Sequence, residues 1–297
     1  MKKFIWMSVF VLGALFASCS DDDSPTTGSK VPAQIEAAFK QKFPDASNVS
    51  WESRSGGYMV ASFTSNNETQ KAWFDNNGTW NMTEKEIPFH AIPQAVRDGF
   101  NATEYSKAPW VLDDDEVDVL YREGAETLYV IEVEKKENGV ETEMELYFTE
   151  DGLLVKEIVD VDHDDDFSNM LPKEIPSAIQ SWLDANLPNA RLIDIEKENG
   201  NIEVDVLYQG VEKEILFTAQ YEWISTTYDI PVSAVPANVK AVVDTEYPGY
   251  YIDDAEIIET ATGTQYKLEL EAHNDNAPDI DIIIDEQGTI IKTKIDD

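Results

Sequence analysis

The chain predicts an α+β fold of two tandem domains, each an antiparallel β-sheet with helices packed on one face, with four helix-plus-strands units in all. Three observations carry this. A short helix signal, apolar-Pro-x-x-apolar, occurs four times; alternating apolar and polar runs follow it; and each unit closes on a hairpin signature.

Taken in chain order, the helix signals are Val31-Pro32-Ala33-Gln34-Ile35, Ile92-Pro93-Gln94-Ala95-Val96, Ile175-Pro176-Ser177-Ala178-Ile179 and Val235-Pro236-Ala237-Asn238-Val239. Proline suits the first helical position, because its φ is already helical and its missing N–H would have no partner there. Apolar residues then recur at helical spacing, as in Ile35, Ala38, Phe39 and Ile179, Trp182, Leu183, so each helix has one stripe to bury. A second proline, Pro44, Pro109, Pro188 or Pro248, follows the first by 12, 16, 12 and 12 residues and marks a helix already ended. Alternating runs at 58–63, 202–206 and 266–270 predict half-buried strands.

The hairpins fall at 74–80, 148–154, 217–223 and 284–290, with Gly78, Gly152 and Gly288 supplying the positive φ of the turn. Tyr221 stands where the third unit would have glycine, which predicts a turn of different type or length there. If residues 75–78 are the first loop, Trp73 faces Trp80 and two indoles stack on one sheet face, as core or as an exposed platform. The interval from second proline to hairpin is 30, 39, 29 and 36 residues, an AB, AB pattern that predicts duplication of a two-unit domain. Expected boundaries are 1–18 leader, 19–30 disordered tether, 31–160 first domain, 161–170 acidic linker and 171–297 second domain.

The leader has Lys2 and Lys3, an apolar run at 4–16, and Ala17-Ser18 ahead of Cys19, the one cysteine. That run is shorter than the roughly 20 residues a membrane span requires. With Cys19 it resembles a bacterial lipoprotein signal, although Phe16 replaces the usual leucine; the resemblance implies lipidation of Cys19. Ser20-Asp21-Asp22-Asp23 resembles the acidic tag that sends some lipoproteins to the outer face of the outer membrane. The expected location is the outer membrane, surface-exposed or otherwise facing the periplasm, with membrane contact through the lipid alone.

Phe43-Pro44-Asp45-Ala46, Val49-Ser50-Trp51 and Phe74-Asp75-Asn76-Asn77-Gly78 resemble the PepSY-like family of secreted proteins, with Leu187-Pro188-Asn189-Ala190 and Tyr247-Pro248-Gly249-Tyr250 as weaker copies. That family is similar in fold to the β-lactamase inhibitor protein, in which helices back a sheet whose open face grips a partner protein. The resemblance brings no catalytic residue. Ala108-Pro109-Trp110 departs from the motif, so the second unit's local geometry should differ.

The formal charge is −37, and without the leader 20 basic residues stand against 59 acidic ones. This disfavours nucleic acid and anionic lipid and favours a cationic protein or peptide partner or a divalent metal. There is no Gly-x-Ser-x-Gly, His-Glu-x-x-His or phosphate-binding glycine loop, and His90, His163 and His273 sit in three separate segments. No cofactor is expected apart from calcium. Its candidate ligands are Asp113, Asp114, Asp115, Asp253 and Asp254, in acidic stretches that recur in the second and fourth units. The run Asp160-x-Asp162-x-Asp164-x-Asp166 imitates an EF-hand start but has Asp165 in place of the glycine. Candidate partner-binding residues are Trp51, Trp73, Trp80 and Trp110. The expected function is that of a monomeric, non-enzymatic module binding a protein or peptide. Its alternatives are a carbohydrate-binding or carbohydrate-processing accessory lipoprotein and a calcium-binding structural one.

Overall fold

The computed structural model describes residues 31–137, 140–160, 167–273 and 277–295. The leader, Cys19, the tether and the acidic run 161–166 lie outside them. The chain divides into two bodies between Pro172 and Lys173.

In the first body, helix α1 (Ala33–Lys42) precedes strands β1 (Ser47–Ser53), β2 (Met59–Ser65), β3 (Glu68–Phe74) and β4 (Trp80–Pro88). Helix α2 (Gln94–Ala102) then precedes β5 (Val111–Leu112), β6 (Glu116–Arg122), β7 (Leu128–Glu137), β8 (Val140–Thr149) and β9 (Leu154–Asp160). All pair antiparallel in one sheet, ordered β1-β2-β3-β4-β6-β7-β8-β9, with β5 also on β7. The second body repeats the plan. Helix α3 (Ser177–Asn186) precedes β10 (Arg191–Glu198), β11 (Asn201–Tyr208), β12 (Val211–Phe217) and β13 (Trp223–Asp229). Helix α4 (Ala237–Glu246) precedes β14 (Tyr250–Thr260), β15 (Gly263–Ala272), β16 (Ile280–Asp285) and β17 (Ile290–Ile295). Its eight strands pair in chain order. The predicted α+β class, with four units in two antiparallel sheets, is therefore the observed one.

Each helix buries the stripe its spacing predicts. Ile35 and Phe39 pack on Ala61, Phe63 and Phe74, and Val96 and Phe100 pack on Val119, Ile131 and Phe148. In the second body Ile179 and Leu183 meet Val204 and Phe217, while Val239 and Val243 meet Leu268 and Ile282. The prolines sit one residue earlier than expected. Pro32, Pro93, Pro176 and Pro236 cap the helices with ψ of 137°, 146°, 135° and 146°, and their carbonyls accept the first helical hydrogen bonds. In the second unit a 3-10 turn at Glu104–Ser106 lengthens the path from helix to strand, and the Ala108–Pro109 bond is cis.

All four hairpins share one turn, so the expected exception at Tyr221 does not occur. The Asp75, Thr149, Thr218 and Asp285 N–H groups donate to the carbonyls of Thr79, Leu153, Glu222 and Thr289 at 2.8–3.0 Å. Gly78, Gly152, Tyr221 and Gly288 donate back in the same way, and Tyr221 takes φ +67°. The first turn residue decides the conformation. Asp75 Oδ1 accepts from Asn77 and Thr79, Asp285 Oδ1 from Gln287 and Thr289, and Thr218 Oγ1 from Gln220 and Glu222. Those bonds hold Tyr221 in a region that costs an L-residue roughly 1 kcal/mol.

The helix-free face of the first sheet is a second apolar layer. Val60, Trp73, Met82, Leu120, Leu128, Val130 and Tyr147 pack there against Phe167, Met170 and Leu171. Phe167 is 1% exposed, so the end of the expected linker is core instead: its apolar residues cover a sheet face that would otherwise be wet. The Arg122 guanidinium reaches the Met170 carbonyl at 3.5 Å.

Candidate functional site

The structure divides the four candidate tryptophans among three apolar clusters. A β-bulge between Trp73 and Phe74 sets Phe74 opposite Trp80 and Trp73 opposite Met82, so the expected Trp73–Trp80 pair does not form. Trp73 lies on the helix-free face, 2% exposed, with its indole N–H donating to the buried Glu84 carboxylate. Trp80 lies on the helix face, half-buried, with Nε1 donating to Thr83 Oγ1 at 2.8 Å and Lys42 Nζ 3.3 Å from its ring centre. Trp51 packs edge-on against Phe39 at 5.2 Å, and Trp110 against Tyr105 at 5.0 Å. Each of the four is built into packing: Trp51 and Trp80 border the core under α1, Trp110 the core under α2, and Trp73 the helix-free layer. The tryptophans that do stack are Trp182 and Trp223, ring centres 5.8 Å apart, a helix-to-strand contact that strand alternation alone does not predict.

The candidate metal ligands also take other partners. Asp113 carboxylate oxygen lies within 4.8 Å of those of Glu134 and Glu143, without Asp114 or Asp115. Asp114 instead accepts from the Glu116 N–H at 2.7 Å, and the Asp115 carbonyl from Phe89. Asp254 groups with Asp229 and Glu256 rather than with Asp253, because β14 bulges between Ile252 and Asp254 and turns Asp254 onto the helix-free face.

That face of the second sheet is where charge concentrates. Cross-strand register places Asp194, Asp205, Glu214 and Thr227 in one row; Asp229, Glu256, Lys267 and Ile283 in the next; and Asp254, Glu269, Asp281 and Lys294 in a third. Asp194 is buried at the β10 edge, whereas from β14 to β16 every residue of these rows is half-buried. Glu269 directly faces Asp281, a like-charge pair that destabilises a sheet. The first sheet repeats the pair as Glu132 opposite Glu145, but there Tyr147 donates to Glu145 at 2.5 Å.

The electrostatics follow from this crowding. Burial, then Asp281, Asp253, Asp254 and Asp279, push Glu269 up to about 7. Burial and Asp229 raise Asp254. Lys267 Nζ lies 2.5 Å from Glu256 Oε1, yet burial still leaves Glu256 raised. For Lys267, burial opposes the charge, but Glu256, Asp281 and Glu214 outweigh it and leave the ammonium raised. The pair sits in a negative field that favours the ammonium and opposes the carboxylate.

A stability profile follows. Between the ordinary value of 4.5 and about 7, folded Glu269 holds more proton than the unfolded chain, so its effect on stability worsens as pH rises through that window. Glu269→Gln should therefore raise stability by about 1–2 kcal/mol near pH 8, allowing for solvent screening, and leave it unchanged below about pH 4.5. Urea midpoints at the two pH values check this; an equal shift at both contradicts it.

A family model described as beta-lactamase-inhibitor-like and PepSY-like matches residues 57–156 and 202–292, more than half of the chain and one stretch in each body. The chain belongs to the PepSY-like family. The match runs from β2 into β9 and from β11 into β17, and it contains Phe74-Asp75-Asn76-Asn77-Gly78 and Tyr247-Pro248-Gly249-Tyr250. Among solved structures, this PepSY-like protein is similar to a BLIP-like protein from Bacteroides fragilis at 33% identity, covering 47% of this chain and 94% of that one with a TM-score of 0.41. It is also similar to a DUF2874 family protein from Bacteroides ovatus at 27% identity, covering 48% of this chain and 96% of that one with a TM-score of 0.42. No curated protein matches the chain.

Proposed function

We propose that this PepSY-like protein is a non-enzymatic module of the cell envelope, exported and lipid-anchored through Cys19, that binds a protein or peptide on the helix-free face of its second sheet. The observation that carries this reading is the pairing of half-exposed carboxylates on β14, β15 and β16, above all Glu269 against Asp281, on a face whose counterpart in the first sheet is sealed by Phe167 and Met170. Like charges so placed cost stability that a bound cationic surface would return. The lipoprotein-like leader supports display at the envelope, and no helix among the described residues is long and apolar enough to cross a membrane. The sequence contains none of the usual nucleophile, zinc or nucleotide signatures, which supports a binding role over a catalytic one. Since the family is described as beta-lactamase-inhibitor-like, β-lactamases form a first panel of partners to test.

The experiment is photo-crosslinking in intact cells, with the crosslinking residue placed either at Thr227 on the helix-free face or at exposed Asp244 on α4. A discrete partner trapped from Thr227 alone is the expected result. Equal capture from both positions, or from neither, would overturn the reading.

A further inference from the structure

We propose that the partner seats an apolar side chain on the step formed by Ile283 and Ile291, as Phe167 and Met170 seat on the first sheet, with a lysine or arginine of the same segment over Glu269. This rests on the reading that the helix-free face of the second sheet binds a protein or peptide, and it adds the chemistry of the segment bound.

The chain's own repeat supplies the comparison. In the first sheet Tyr147 faces Val130 and Lys156, and β9 bulges beside it at Val155; in the second Ile283 faces Lys267 and Lys292, and β17 bulges beside it at Ile291. Trp73 and Leu216 likewise precede the same bulge, on β3 and β12. Leu120 faces Glu84 and Ile258 faces Thr227, each two residues past the β4 or β13 partner of Trp73 or Leu216. Trp73, Leu120, Tyr147 and Val155 of the covered layer therefore correspond to Leu216, Ile258, Ile283 and Ile291, and all four stay apolar. Val60, Leu128 and Val130 of that layer become Glu203, Gln265 and Lys267.

A layer sealed within one body can be apolar throughout, whereas apolar positions set among charged ones suit a face that is wet when free and covered when bound. Leu216, Ile258 and Ile283 are half-buried and Ile291 is 51% exposed, while its counterpart Val155 packs against the Phe167 layer. Charge defines the rest of the occupant. Two residues before Ile283, on the same face of β16, Asp281 faces Glu269. In the first sheet the equivalent Glu145, opposite Glu132, receives the Tyr147 hydroxyl; Ile283 stands in that place with no hydroxyl to give. Glu269 is half-buried, so a side chain from outside can reach its carboxylate. A lysine or arginine brings the donor together with the charge opposite to the pair. Because the apolar step and the acidic pair adjoin, the bound segment carries an apolar residue next to a basic one.

The test uses the full chain and three labelled peptides, of alternating lysine and leucine, lysine and serine, and glutamate and leucine. The lysine–leucine peptide should bind, the lysine–serine peptide about tenfold more weakly, and the glutamate–leucine peptide not at all. Ile291→Ser, at a side chain already 51% exposed, should weaken the lysine–leucine peptide about fivefold with little change in melting temperature. Val111→Ser, at 54% exposure in the first body, should leave the affinity unchanged. Glu269→Gln should weaken binding at pH 8 while raising the melting temperature. Equal affinity for the lysine–serine or the glutamate–leucine peptide, or unchanged affinity in both Ile291→Ser and Glu269→Gln, would overturn the proposal. So would a dimer that Ile291→Ser dissociates, which puts a second copy of the chain on the step. If no peptide binds while crosslinking from Thr227 traps a partner, this proposal fails and the binding module stands; if crosslinking is also blank, both fail.

Discussion

Gly152→Ala is expected to destabilise the first body by about 3 kcal/mol or more, the largest single effect foreseen for a change this small. Gly152 is the positive-φ residue of the second hairpin, at φ +81°, and a Cβ there would lie 2.1 Å from the Ala95 carbonyl oxygen and 3.2 Å from the Val96 nitrogen. From the other side, a Cβ on Gly99 would lie 2.0 Å from the Gly152 oxygen. The backbone of α2 therefore rests directly on the backbone of the β8–β9 turn, and no rotamer change can make room. Gly124 separates strain from collision: its φ is +71° with nothing within 4 Å, so Gly124→Ala should cost only about 1 kcal/mol. Urea unfolding followed by tryptophan fluorescence checks both, and equal losses would show that contact with α2 contributes nothing.

Trp73→Ala is expected to cost about 3–5 kcal/mol, and Trp80→Ala clearly less. Trp73 fills the layer between the first sheet and Phe167, and its indole N–H is a donor to the buried Glu84, so truncation opens a cavity and strips a buried carboxylate of a partner. Trp80 is half-buried, has Lys42 over its ring face, and donates to a neutral threonine hydroxyl rather than to a buried carboxylate. Comparable losses in denaturation midpoint would argue that the two indoles share one environment, as the unbulged hairpin predicts.

The difference between those indoles shows where sequence reading stops. Proline, apolar stripe, alternation and turn are each local, with consequences confined to a few residues, so four helices, antiparallel strands and the pairing of units were legible. Turn type at Tyr221 was misjudged because the deciding bonds come from Thr218, three residues earlier, rather than from the residue whose φ is unusual. A bulge that displaces register by one residue moves a side chain to the opposite face, and nothing in Phe74 to Trp80 announces it. The acidic stretches were visible as composition, but their partners were not. Asp113 meets Glu134 and Glu143, and Asp254 meets Asp229 and Glu256, through strand pairings that join residues far apart in the chain.

By itself, then, the sequence determined the number and kind of elements, because burying a periodic stripe and closing a tight turn are short-range requirements. Only the tertiary structure decided which faces are covered and which carboxylates confront each other. Phe167 and Met170 seal one sheet, whereas Glu269 faces Asp281 and Asp205 lacks a donor on the other. The reason is that burial and charge repulsion depend on distance in space, and register, bulges and the return path of the chain set that distance.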